Sequence, residues 1–87
     1  MAYRIEIKAS AAKEIAALPR HDQRRVVRAI EALADEPRPP GARKLVGGDD
    51  AYRVRVGDYR VVYQIRDDLL IVYVVRVGHR RDVYRRK

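Results

Sequence analysis

The 87 residues, 47% of them hydrophobic, suffice for one domain (1–87) with a single small core and leave no room for a second. Twenty Lys and Arg against 12 Asp and Glu give a net charge of +8, and only Lys8, Lys13, Lys44 and Lys87 are lysine. Such an arginine-rich balance points to a polyanionic partner, nucleic acid above all, or to an acidic protein that covers the charge. The absence of cysteine excludes disulfides, thiolate metal sites and cysteine nucleophiles, and two imidazoles, His21 and His79, argue against a zinc site. The N-terminus has no apolar signal core and the longest apolar run, residues 69–75, is too short to cross a bilayer. The expectation is a cytoplasmic protein with no metal and no cofactor.

Residues 3–8, YRIEIK, alternate in the manner of a half-buried edge strand, with Tyr3, Ile5 and Ile7 on one side. Ser10 is the predicted N-cap of a short helix to Leu18, with Ala11, Ile15 and Leu18 as its apolar stripe and Pro19 as its end. From Arg20 to about Glu36, Val26, Ile30 and Leu33 recur at helical spacing, while Arg24, Arg25 and Arg28 fall on or near the other face. The two helices form a hairpin that rests on a sheet. Pro37, Pro39, Pro40 and Gly41 make a stiff connection, after which Lys44, Leu45 and Val46 read as a short strand. Gly47 to Asp50 then turn the chain.

The stretch AYRVRVGDYRVVYQIR, residues 51–66, is the strongest signal in the chain. Alternating β-branched and aromatic residues flank Gly57-Asp58, whose leading glycine suits a type II′ turn. A two-residue loop fixes the pairing: Val56 opposite Tyr59, Arg55 opposite Arg60, Val54 opposite Val61, Arg53 opposite Val62 and Tyr52 opposite Tyr63. One face is then apolar, from Tyr52, Val54 and Val56 to Tyr59, Val61, Tyr63 and Ile65. The other collects Arg53, Arg55 and Arg60. Like charges facing each other across a ladder repel, so this face is either a screened basic surface or one that an external phosphate completes.

Asp67-Asp68 marks the next turn, and residues 69–77 follow almost without a polar side chain, as in a central strand covered on both faces. Gly78 closes that strand and a basic tail, HRRDVYRRK, follows. A basic face that cleaves RNA needs a proton taken from the 2′-hydroxyl, charge stabilised on the phosphorane, and a proton given to the leaving oxygen. Arginine supplies charge but essentially never a proton. Tyr84 and His79 are the candidates for proton transfer, each with a plain alternative: the tyrosine ring packing on the sheet, the histidine capping a strand end.

PRPPGARKL, YRVRVGDYRVVY and VGHRRDVY, in this order and around two helices, resemble the toxins of the RelE/ParE superfamily, nearer to the RelE-type mRNA endonucleases. The resemblance covers nearly the whole chain. It implies a small α+β fold: an N-terminal strand, a two-helix hairpin on a mainly antiparallel twisted sheet, and a short basic C-terminal tail or helix. It also implies entry into the ribosomal A site, metal-independent cleavage of mRNA, and control by a small acidic RelB-like antitoxin. Arg53 and Arg55 fall where the family carries two basic residues, typically lysines; Arg60, Arg80 and Tyr84 fall on its arginines and tyrosine. Lys44, Arg81 and Arg85 are added as RNA contacts. The lysine-to-arginine departure removes a proton donor at Arg55, which leaves His79 or phosphate stabilisation to compensate. The alternatives are a ParE-like poison of DNA gyrase and a weak toxin relic that acts in a repressor complex with its antitoxin.

Overall fold

The hairpin forms as its turn chemistry dictates. Gly57 takes φ +60 while Asp58 does not enter the left-handed region, the combination of a type II′ turn. The positive φ favours glycine there; a Cβ would also come within 2.9 Å of the Arg25 guanidinium, the movable end of a flexible side chain. The computed structural model describes residues 2–46 and 50–79. Its elements are β1 (Arg4–Ile7), α1 (Ala9–Ala16), α2 (Arg20–Ala32), β2 (Arg43–Lys44), β3 (Ala51–Val56), β4 (Tyr59–Arg66) and β5 (Ile71–His79).

The strands form one sheet in the order β1-β5-β4-β3-β2. β1 runs parallel to β5 and the other neighbours are antiparallel. The β3–β4 register is the predicted one at all five pairs, from Val56 opposite Tyr59 to Tyr52 opposite Tyr63. Both helices lie on one side. Ala11 and Ile15 of α1 and Val26, Ile30 and Leu33 of the α2 segment meet Val61, Tyr63, Ile65, Val72, Val74 and Val77 of the sheet in a single core. Buried aliphatic side chains of this kind each contribute about 1.5–3 kcal/mol to folding.

Five expectations about caps and element bounds shift. Ser10 is not the N-cap: Lys8 holds that position without a side-chain cap, because its own N–H still donates to the Val74 carbonyl of the ladder at 2.8 Å. α1 ends at Ala16 and α2 at Ala32, and the expected last turn of α2 tightens into bonds such as Leu33 N–H to Ile30 O at 3.0 Å. β2 is Arg43–Lys44, one residue earlier than expected. β5 starts at Ile71, since Leu70 takes φ +54 in the turn before it.

β5 is also neither the middle strand nor covered on both faces. β4 is in the middle, and only Val72, Val74 and Val77 of β5 are buried, because both helices press on the same side. Where β1 ends, α1 takes over that edge of β5: the Glu14 carboxylate accepts the Val77 N–H at 2.7 Å. Among the described residues no helix is long and apolar enough to cross a membrane.

Candidate nucleic-acid interface

The face of the sheet away from the helices carries the basic site. With Tyr52, Val54 and Val56 turned toward the core, alternation sends Arg53 and Arg55 of β3 to the opposite side, and the ladder sets Arg60 of β4 directly across from Arg55. β2 adds a fourth arginine, because Arg43 pairs with Arg53. Gly41, Arg43, Arg53, Arg55 and Arg60 line a cavity of about 280 Å³. That is at or below the small end of the roughly 300–1,000 Å³ typical of drug-sized ligands, a size suited to one phosphodiester and its sugar.

Two pairs of like charges, Arg43 with Arg53 and Arg55 with Arg60, therefore face each other across the ladder. Each such pair opposes pairing, by up to about 1 kcal/mol. No carboxylate lines the cavity among the described residues. An anion entering it would meet converging guanidinium forks able to hold several oxygens at once. Gly41, at φ +92, turns the connection past the cavity mouth with nothing within 4 Å of where a Cβ would stand.

The expected site residues divide. Arg53, Arg55 and Arg60 come together as the hairpin register requires. Lys44 does not join them: it pairs with Tyr52 and so belongs to the other face, and Arg43 occupies the place expected of it. His79 does not join them either. It pairs with Tyr59, meets that ring edge-on at 5.9 Å, and lines a separate space beside α1 with Glu14, Leu18 and Pro19. Arg80, Arg81, Tyr84 and Arg85 lie outside the described residues.

The placement of His79 follows from a bulge. The β4–β5 register shifts between Val62 and Tyr63, so the inward positions of β5 run Val72, Val74, Val77 instead of continuing at every second residue. That one-residue slip reverses the facing of everything after it. Arg76 is the sequence signal for it, since strict alternation would have driven a guanidinium into the core.

A second arginine cluster has no counterpart in the expectations. Arg38, in the connection after α2, forks onto Asp67 in the β4–β5 turn, with Nη2 to Oδ2 at 2.9 Å and Nη1 to Oδ1 at 3.4 Å. Its Nε donates to the Tyr52 hydroxyl at 3.1 Å, and its guanidinium carbon lies 5.3 Å from that ring's centre. Tyr3 donates its hydroxyl to Asp67 at 2.6 Å. Hydrogen bonds from Arg38 and Tyr3 hold the Asp67 carboxyl below the usual aspartate range, and the bond to Asp67 raises the Tyr3 phenol. Burial, with Tyr52 nearby, pushes the Tyr63 phenol up to about 12, and Tyr59 is raised by its bond to Asp22. These three phenols are therefore poor bases near neutral pH.

Comparison with known proteins places this geometry in a family. Residues 5–84 match the model for the ParE toxin of the type II toxin–antitoxin system parDE. The chain is similar to toxin RelG of Mycobacterium tuberculosis, at 34% identity over 99% of this chain and 100% of that protein. It is 32% identical to the mRNA interferase toxin RelE of Escherichia coli K12, over 92% of this chain and 85% of the relative. Among solved structures, the intact Escherichia coli RelBE toxin–antitoxin complex aligns with a TM-score of 0.79 at 29% identity, over 90% of this chain and 96% of the matched chain.

Proposed function

The chain belongs to the ParE toxin family of type II toxin–antitoxin systems, and from that premise we propose that it is a ribosome-dependent, metal-independent endoribonuclease that cuts mRNA in the A site under the control of a RelB-like antitoxin. The observation that carries this reading is the cavity walled by Arg43, Arg53, Arg55 and Arg60. Four guanidinium groups around a space of this size suit a phosphodiester, whose oxygens they can hold in forked pairs. The relative named an mRNA interferase supports the same chemistry, and the neighbour solved as a RelBE complex supports an antitoxin partner.

In the proposed reaction the 2′-hydroxyl attacks the adjacent phosphorus, a 2′,3′-cyclic phosphate forms and the 5′-oxygen leaves with a proton. The cavity arginines neutralise the non-bridging oxygens as charge builds on the phosphorane. They hold charge in place and move no proton. His79 faces the opposite side of the sheet, so of the two proton carriers considered Tyr84 is the one retained, with Arg80 joining the charge clamp. Purified toxin added to translating ribosomes should give mRNA cuts at fixed positions within codons. Gyrase-dependent DNA breaks instead would establish the gyrase-poison reading, and neither product would establish the relic.

A further inference from the structure

The two walls of the arginine cavity are built to different standards. Arg53, Arg55 and Arg60 stand on β3 and β4, paired along their full length. Arg43 and Gly41 stand on the segment between α2 and β3, where β2 contributes only two residues to the sheet. The ladder holds the far end of this segment, where the Leu45 N–H also donates to the Ala51 carbonyl at 2.8 Å, and the end nearer α2 is held by side chains. The segment is tied at its start: Tyr63 donates its hydroxyl to the Pro37 carbonyl at 2.7 Å, and Arg38 is fixed on Asp67 and Tyr52. Between Arg38 and Arg43 the chain has little freedom. Pro39 and Pro40 lock their φ angles, and the Ala42 N–H donates to the Pro39 carbonyl at 3.0 Å to close a turn.

We propose that Asp67 and Arg38 are positioning residues for the nucleic-acid site: the Asp67 carboxylate, reaching from the β4–β5 turn, latches Arg38 and through the proline turn sets where Arg43 meets the phosphate. The inference rests on the nuclease reading for its catalytic consequence and not for the latch itself. The bonds of Asp67 run to Arg38 and Tyr3, so the proposed effect on cleavage passes through Arg38 and the proline turn to Arg43. The geometry of the latch explains the choice of residues. A planar fork engages both carboxylate oxygens while its Nε reaches a phenol, and a lysine ammonium can do only one of these at a time.

The test is a double-mutant cycle on mRNA cleavage by programmed ribosomes, read beside amide hydrogen exchange of the free toxin. Asp67→Asn should slow cleavage at least about threefold and speed exchange at Ala42 to Lys44, with thermal unfolding recording any general loss of fold. Arg38→Lys, which keeps the charge, should do the same. Placed on Arg43→Ala, Asp67→Asn should slow cleavage no further; placed on Arg60→Ala, it should multiply the loss. Additive effects in the Arg43→Ala background, or unchanged exchange in Asp67→Asn, would overturn the proposal. If the wild type cuts nothing, the nuclease reading falls and the exchange result alone decides whether the latch holds the segment.

Discussion

The molecule contains two clusters built on arginine, one around Arg38 alone and one of four arginines, and they are built on opposite principles. Arg38 has its donors committed: carboxylate, phenol and aromatic face surround it, and its side chain belongs to the scaffold. Arg43, Arg53, Arg55 and Arg60 converge on a space whose described lining holds no carboxylate. The difference teaches that charge count alone does not find a site. What distinguishes the two here is whether the guanidinium is held between a carboxylate and a phenol of the scaffold or lines a cavity.

The largest effect should come from removing a cavity arginine that opposes another across the ladder. Arg60→Ala should lower cleavage by roughly 10²–10³-fold, the usual consequence of losing one donor to a developing oxyanion. It should also relieve growth arrest without destabilising the fold, because it removes the repulsion with Arg55. Arg80→Ala should relieve arrest in the same way. Growth assays and thermal unfolding check both, and a fully toxic pair of variants would dissolve the contrast between the clusters.

That contrast was half legible in the sequence. The β3–β4 register followed from Gly57-Asp58, because a two-residue turn leaves no slack and side-chain parity does the rest. The sequence alone therefore puts Arg53, Arg55 and Arg60 on one face. Arg43 is not legible in this way, since a strand of two residues has no periodicity to read. His79 lies on the other face because of a bulge whose one trace in the sequence is Arg76, at a position that strict alternation would bury. Arg38 and Asp67, 29 residues apart, are joined only once the connection folds back over the end of the sheet.

A medium effect should separate the clusters by salt. For a single-stranded nucleic acid, each phosphate that the protein neutralises adds about 0.7 to the slope of log affinity against log salt. Arg43→Ala should therefore flatten the salt dependence of RNA binding by about that amount. Arg38→Ala should weaken binding by loosening Arg43 and leave more of the slope, because Arg38 itself neutralises no phosphate. Binding titrations over a salt series measure both, and equal slopes for the two variants would show that Arg38 too touches nucleic acid.

The smallest effect lies in acid. In the folded state Asp67 is held below its ordinary value by the bonds from Arg38 and Tyr3, so folding binds fewer protons at this group than the unfolded chain does. The stability it contributes is complete above the unfolded aspartate value near 3.8 and is lost as pH falls from there through the lower folded value. The pair is exposed to solvent, its side chains 45% and 54% accessible, so screening keeps the contribution small. Wild type and Asp67→Asn should therefore differ slightly in unfolding midpoint at neutral pH, and the difference should shrink as pH falls below the unfolded aspartate value. Arg60→Ala keeps both Arg38 and Asp67, so its acid response should match that of the wild type. Loss of that response in Arg60→Ala would mean that the two clusters are not independent.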